Sequence, residues 1–154
     1  MACLSRSPVR SAAASAICTT CLTVATKGRD FVDLSGEIAD FVAGIGAREG
    51  VVLLFLRHTS ASLTIQENAD PAVLRDLITA FDQLAPEQGG WSHQSEGPDD
   101  MPAHVKAMVS GVSLHIPVID GALALGTWQG VYLIEHRRRP HRRMVVVQFM
   151  GERG

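Results

Sequence analysis

Six histidines stand in a chain of 154 residues, and three of them, His58, His93 and His104, lie in polar surroundings at the ends of expected elements. Imidazole is the commonest neutral metal ligand, and its ordinary pKa lies near neutral pH, so these three are where chemistry is sought first. Brought together by folding, they can hold a zinc-like ion and leave a position open for water or substrate. Their spacing lacks the close two-His or Cys-pair form that identifies a metal site by itself. A second reading therefore stays open, in which each ring caps a helix or bonds a backbone carbonyl. Glu96, Asp99 and Asp100 surround the same stretch. A carboxylate beside such a ring fixes its tautomer, raises its basicity or acts as general base on bound water. Glu96 is the sharper candidate because Gly97 permits a close turn after it, whereas Asp99 and Asp100 read first as helix caps.

The run His58-Thr59-Ser60-Ala61-Ser62-Leu63-Thr64 supplies hydroxyls suited to phosphate oxygens, with Thr59, Ser60 and Thr64 as donors. A nucleophilic serine is disfavoured, because neighbours on a strand point to opposite faces. Arg137, Arg138, Arg139, Arg142 and Arg143 flank Pro140-His141. They read as a solvated hairpin turn whose like charges discourage edge pairing, with a phosphate or RNA contact as the second reading. The Cys18/Cys21 pair has no partner pair at zinc spacing and reads as incidental, and His115 reads as structural.

These residues need elements to position them. Alternation over 21–26 predicts a strand, and Ile38, Phe41, Val42 and Ile45 recur at helical spacing with Asp33 or Ser35 as cap and Gly50 as breaker. The apolar run 51–56 reads as a strand buried on both faces and ending at Arg57 and His58. A short strand is expected at 62–65. Asp70-Pro71 starts a helix whose face is Leu74, Leu77, Ile78 and Phe81. Residues 85–100 read as a long functional loop, followed by a short helix over 101–109 with Asp99 or Asp100 as cap and Gly111 as stop. Antiparallel strands at 112–118, 122–125, 131–136 and 144–149 complete the chain, with Asp120-Gly121 as the first tight turn. The fold class is α+β: one compact domain over 18–154 with a largely antiparallel sheet core and two to three short helices. Residues 1–17 form a variable tail, read either as unstructured or as an acid-poor organellar transit segment.

Fourteen Lys+Arg against 16 Asp+Glu give a net charge of -2, which argues against a general attraction to nucleic acid. No apolar run approaches the roughly 20 residues that cross a bilayer, so no membrane partner is expected.

The segments 26–33 (TKGRDFVD), 58–71 (HTSASLTIQENADP), 93–104 (HQSEGPDDMPAH) and 125–130 (LGTWQG) together resemble the YjbQ family, in order from about Thr23 to Gly151. The resemblance implies a sheet-rich α+β fold assembled as a homotrimer, with sites near subunit contacts. It also implies a secondary thiamine-phosphate synthase activity, weakly joining hydroxymethylpyrimidine diphosphate to hydroxyethylthiazole phosphate with release of pyrophosphate. His58, His93 and His104 match the family's metal- or anion-binding positions, and Glu96 and the Trp128-Gln129 pair match as well. On this reading His93, Glu96 and Arg57 carry catalysis, Arg57 by neutralising the leaving diphosphate, while Thr59, Ser60, Thr64, Trp128 and Gln129 bind the substrate. The implied cofactor is a divalent metal. Imidazoles suit Zn²⁺, and Mg²⁺ is the usual companion of a diphosphate. The absence of an acidic Mg²⁺ cage in the sequence reads the synthase reaction as a side activity. The alternative is a non-catalytic trimeric module that binds a small anionic metabolite. The partner expected is a small phosphorylated heterocycle, and the location expected is the cytoplasm. The departures from the family pattern are His115 and the Arg-rich turn.

Overall fold

The structure is a computed structural model and describes residues 4–154. Eleven elements follow in order: β1 (Ala16–Ala25), β2 (Asp30–Asp33), α1 (Ser35–Gly44), β3 (Ala47–Leu56), β4 (Ala61–Glu67), α2 (Pro71–Leu84), α3 (Asp100–Ser110), β5 (Ser113–Ile119), β6 (Ala122–Leu123), β7 (Gln129–Glu135) and β8 (Arg142–Arg153). They form two antiparallel sheets, a five-stranded one in the order β1-β8-β3-β5-β6 and a three-stranded one in the order β2-β7-β4. The α+β class expected from the sequence is what is found.

β1 starts two residues inside the expected tail, because Ala16 already pairs with Gly151 on β8 and the alternation extends back to it. The rest of the described tail, 4–15, has no regular structure, although Arg10 forms an ion pair with Asp120 at 2.6 Å and another with Glu49. Residues 1–3 of the tail lie outside the described residues. At α1 the Asp33 carboxylate accepts from the Ser35 N–H at 2.8 Å, and the Ser35 hydroxyl accepts from Val131 N–H on β7 at 2.9 Å. The helix then buries Ile38 and Val42.

Gly50 does not break this helix as its type predicted. The reversal falls at Gly46, whose φ of +65° suits glycine, and Gly50 lies inside β3. There it pairs with Gly151, and a Cβ at Gly50 would stand 2.3 Å from the Met150 carbonyl oxygen. The β3–β8 crossing is therefore built on two facing glycines. Asp120 and Gly121 both have positive φ, 51° and 81°, as the tight β5–β6 turn demands.

One apolar core draws on both sheets: Val52, Leu54 and Leu56 of β3, Val145, Val147 and Phe149 of β8, and Leu63 and Leu133 of the smaller sheet. Each such side chain contributes on the order of 1.5–3 kcal/mol by leaving water. The opposite face of β3 departs from expectation. Val51 and Leu53 are only half-buried and Phe55 is 46% exposed, because no other part of the described chain covers the outer face of the large sheet. A smaller core sets α2 on the three-stranded sheet, with Leu74, Leu77, Ile78 and Phe81 against Phe31, Tyr132 and Ile134. Asp70 caps α2 by accepting from Ala72 N–H at 2.8 Å, with Pro71 in the first turn, as the sequence predicts. Among the described residues no helix is long and apolar enough to cross a membrane.

Polar groups are buried between these layers. The Arg-rich hairpin is not simply solvated: Arg137 and Arg143 are buried, because the β8 register turns Arg143 inward to Glu135. The Glu135 carboxylate accepts from Arg143 Nε at 2.7 Å, Thr26 Oγ1 at 2.8 Å and Arg137 N–H at 3.0 Å. His136 Nε2 lies 2.8 Å from the Ser62 hydroxyl. Burial first, and then the charge of Lys106, push the His136 pKa down to about 4 from 6.5. An imidazole with a depressed folded pKa stays neutral while the unfolded chain takes up its proton. The stability it confers is therefore present above pH 6.5 and is lost as pH falls toward 4, roughly 3 kcal/mol across that window. Thermal midpoints measured from pH 7 to pH 4 should decline through this range, and the decline should flatten in His136→Gln.

Candidate functional site

The end of the long loop and the first turn of α3 bring together a cluster of two imidazoles and a carboxylate. Asp100 and His104 are one helical turn apart and so share a face of α3. The loop brings His93 to the same place. It is folded on itself, with the Trp91 indole N–H donating to the Pro86 carbonyl at 2.9 Å and Gly97 N–H to the Gln94 carbonyl at 3.3 Å. His93 Nε2 lies 2.8 Å and His104 Nε2 lies 3.4 Å from Asp100 Oδ2, and the two imidazole centroids are 5.9 Å apart. One donor atom from each of the three residues fits within 4.8 Å of the others.

Asp100 is 1% exposed, and its other oxygen is held in an ion pair with the Arg137 guanidinium. The same guanidinium donates to Asp99 Oδ2 at 3.2 Å and to the Glu96 carbonyl at 2.7 Å. Arg137 thus clamps the loop and the start of α3 together. Asp99 occupies the N-cap position without a side-chain cap bond, because its carboxylate accepts from Arg137 and from Arg138 N–H at 2.8 Å. Burial alone would raise its pKa. The Arg138 and Arg137 donors outweigh burial and hold it below the usual value.

The tautomer of His104 decides what this cluster can bind. Its Nδ1 is 2.9 Å from the Thr59 carbonyl, which can only accept, so Nδ1 carries the hydrogen. Nε2 then presents a lone pair toward a carboxylate oxygen 3.4 Å away. Two electron-rich atoms in that relation make a place where a cation is favoured. His93 Nε2, 2.8 Å from Asp100 Oδ2, donates its hydrogen there, and once that hydrogen is displaced two imidazole nitrogens and one carboxylate oxygen are a fitting set for a divalent transition ion or Zn²⁺ with further positions open. The Thr59 carbonyl supplies the outer partner that ligating imidazoles usually have.

His58 does not join this set. Its Nε2 accepts from Met144 N–H at 2.9 Å, which places its hydrogen on Nδ1 and leaves no lone pair for a metal. Burial, and then the charge of Arg143, lower its pKa and keep it neutral. The reason is local: after β3 ends at Leu56 the chain still runs beside β8, and the ring closes that ladder. Instead of the three imidazoles expected from the sequence, the structure brings together two imidazoles and Asp100.

The other candidates divide. Arg57 and Thr59 line a cavity of about 610 Å³ together with His58 and His104. The Glu96 carboxylate is largely exposed and faces Arg137 at 3.9 Å, outside the donor set. The Ser60 carbonyl accepts from Arg143 at 3.4 Å, and the Thr64 hydroxyl donates to the next residue's carbonyl at 3.4 Å. Trp128 and Gln129 sit at the far end of the β4–β7 ladder, where Gln129 pairs with Glu67, whereas the cluster adjoins the Ala61 end. A strand of this length puts them on the order of 20 Å away within one chain. Trp128 is 66% exposed, and the Gln129 side chain accepts from Gly126 N–H at 2.8 Å.

A second cavity, of about 380 Å³, is lined by Trp91, His93, Gln88 and Gln94. His104 faces one cavity and His93 the other. The sequence reading missed Asp100 and Arg137 as site residues. The Asp-x-x-x-His spacing was a signal for Asp100, since it places both side chains on one helical face. Arg137 carried no local signal, because only the tertiary fold takes it from the hairpin to the loop.

The chain as a whole is similar in sequence and fold to known proteins. The family model described as "UPF0047 protein YjbQ-like" matches residues 20–152. UPF0047 protein sll1880 of Synechocystis is 51% identical over 132 residues, covering 85% of this chain and 90% of the relative. UPF0047 protein YjbQ of Salmonella typhimurium is 44% identical over 132 residues, covering 85% of this chain and 96% of the relative. Among solved structures, an uncharacterized conserved protein of the yjbq/upf0047 family from Clostridium acetobutylicum superposes with a TM-score of 0.79 at 37% identity, covering 84% of this chain and 98% of that one. A hypothetical protein of Aeropyrum pernix K1 gives a TM-score of 0.80 at 29% identity, covering 87% and 98%.

Proposed function

This chain belongs to the UPF0047, YjbQ-like family, and from that premise we propose that it is a metal-assisted transferase of the secondary thiamine-phosphate synthase type. It joins a pyrimidine diphosphate to a thiazole phosphate with release of pyrophosphate, as a weak or side activity. The observation that carries this reading is a His93/Asp100/His104 cluster of which one imidazole lines one cavity and the other imidazole lines a second, as two substrates reaching one centre would require. His93, Asp100 and His104 would hold a divalent ion, Zn²⁺ by their donor chemistry. When bound, such an ion supplies positive charge to a leaving diphosphate. The chain's own groups do the rest. Arg57 and the Thr59 hydroxyl offer donors to the phosphate oxygens as the pyrimidine carbon becomes cation-like. The Thr59 carbonyl keeps the His104 proton on Nδ1, and Arg137 holds Asp100 in place.

Assembly belongs to the same proposal. The outer face of the large sheet carries Ile17, Val51, Leu53, Phe55, Val146 and Met150, interrupted by Thr19, His115 and Gln148, as a half-open, largely apolar surface that suits the homotrimer that the resemblance implies. Leu53→Arg should leave monomers in sedimentation, and a persistent trimer would remove this face from the interface. A cytoplasmic location is part of the same reading.

The function is tested on purified protein by metal analysis and by pyrophosphate release from the two precursors. About one divalent ion per chain and a rate abolished in His104→Ala are expected. No retained metal, together with an unchanged rate in His104→Ala, would leave a module that only binds anions. Arg137→Lys keeps the charge and loses the planar fork that spans two carboxylates and a carbonyl. Its metal affinity, read by calorimetric titration, should fall about 10–100-fold, the usual cost of losing an outer partner.

A further inference from the structure

The base of the loop that carries His93 is tied to the rest of the chain by a run of alternating charges. Lys106 of α3, buried from water, donates to Asp82 of α2 at 2.5 Å, and Arg29 donates to the same carboxylate at 2.7 Å. Arg29 in turn faces Glu87 at 4.0 Å, and Arg138 faces Glu87 at 2.7 Å. The run has one poor joint. Glu87 Oε1 is buried beside both guanidinium groups, yet it takes an aligned hydrogen bond from neither. Arg29 and Arg138 therefore keep most of their donors unspent, since a guanidinium carries five.

These two arginines line a hollow of about 400 Å³ together with Lys27, Gly28 and Asp30. None of the five residues lines either cavity at the imidazole cluster. The hollow forms because the β1–β2 turn is laced to the β7–β8 hairpin. Thr26 N–H donates to the His141 carbonyl at 2.9 Å, and His141 N–H donates to Thr26 Oγ1 at 3.0 Å. Gly28 allows the close approach, because at its φ of +135° a Cβ would stand 2.7 Å from the Arg138 carbonyl oxygen. Three cations thus face one carboxylate, and that one is engaged: Asp30 Oδ1 accepts from Phe31 N–H at 2.8 Å. Lys27 is exposed and, among the described residues, pairs with no carboxylate.

We propose that this hollow is a binding site for a small tetrahedral oxyanion of the inorganic phosphate class, which takes over the Arg29 and Arg138 donors that Glu87 engages poorly and adds Lys27. The site lies apart from the imidazole cluster, and binding there does not depend on the transfer reaction. Phosphate oxygens point in several directions, so a free anion meets N–H groups of both arginines in charge-assisted bonds that a carboxylate fixed to its own backbone does not reach. Displacing Glu87 costs little, because a partly exposed ion pair contributes little. A chain with a net charge of -2 draws in no nucleic acid from a distance, which favours a small anion over a polymer. Release of Glu87 loosens the base of the loop, while Arg137 still holds its far end at Asp99.

Calorimetric titration of the purified full chain with sodium phosphate, against sodium chloride at equal ionic strength, tests the site. Phosphate should bind, and chloride reproducing its heat would overturn the proposal. Lys27→Gln combined with Arg138→Gln, both at exposed positions, should weaken phosphate at least about ten-fold. Glu87→Gln should tighten it about five-fold, because it removes the carboxylate that competes for the same donors. Trp128→Phe leaves Trp91 as the one indole, and its emission should shift as phosphate displaces Glu87 from the base of its loop. Phosphate affinity unchanged in the double variant would overturn the proposal, as would a loss of affinity in Glu87→Gln. An affinity that depends on Arg57 instead would put the anion in the larger cavity and overturn it too. A short oligothymidylate that outcompetes phosphate through Lys27 and Arg138 would replace the small anion with a nucleic-acid contact.

Discussion

If His93, Asp100 and His104 hold a divalent ion as proposed, Asp100→Asn is expected to lower Zn²⁺ affinity by more than about 100-fold, beyond the cost of losing an outer partner. The asparagine keeps the shape and one oxygen for Arg137. It removes the charge that faces both His93 and His104 from a position 1% exposed to water. With a neutral amide there, the His104 lone pair no longer has a carboxylate beside it to share a cation, and the rate of pyrophosphate release should fall with the metal. Asp100→Ala is harsher. It leaves the buried Arg137 guanidinium without its closest counter-charge, which costs about 3–5 kcal/mol of stability when one member of a buried pair is removed. Comparing the two variants by zinc titration and by thermal melting separates loss of the ion from loss of the fold. Wild-type zinc affinity in a folded Asp100→Asn protein would show that Asp100 only secures Arg137.

Glu135 carries the second large effect, and it acts on stability. Its carboxylate is fully buried and accepts hydrogen bonds from Arg143, Thr26 and the Arg137 backbone. Glu135→Gln strands the Arg143 charge inside the protein, for an expected loss of about 3–5 kcal/mol in urea denaturation. The double variant Glu135→Leu with Arg143→Met should recover much of that loss, because it leaves no unpaired charge behind. A double variant as unstable as the single one would mean that shape, not charge, sets the cost. Burial pushes the Glu135 pKa up, but the Arg143 side chain and the Arg137 N–H outweigh it and hold the pKa below the ordinary 4.5. The stability from this lowered pKa is present above pH 4.5 and is lost as pH falls through the folded value, so it adds acid lability below the His136 window. The effect also reaches the site, because the same carboxylate fixes the backbone from which Arg137 extends to Asp100.

Much of the fold could be read from local pattern. The helix over 71–84 follows from Asp70-Pro71 and four apolar residues at helical spacing, and the β5–β6 turn follows from Asp120-Gly121. Errors arose where a residue type has two uses. Gly50 looks like a helix stop, yet its lack of a Cβ serves a strand crossing against Gly151, which no local window contains. The run from Val51 to Leu56 looks buried on both faces, because composition cannot tell a covered face from one left open in a single chain. The tail boundary fell short for a related reason, since only pairing with β8 draws Ala16 into β1.

Within the site, residue chemistry and position were legible for His93 and His104: the sequence by itself determined that imidazoles would stand at element ends beside carboxylates, because these residue types cluster in the loop and first turn before an apolar helix face. Tertiary structure decided which groups meet. His58 went to the Met144 N–H, Asp100 took the remaining place, and an arginine from a hairpin 37 residues further on fixed it there. The physical reason is that a lone pair can serve one partner at a time. Which partner it finds depends on strand register and loop path, and these are set by packing across both sheets rather than by any stretch of neighbouring residues.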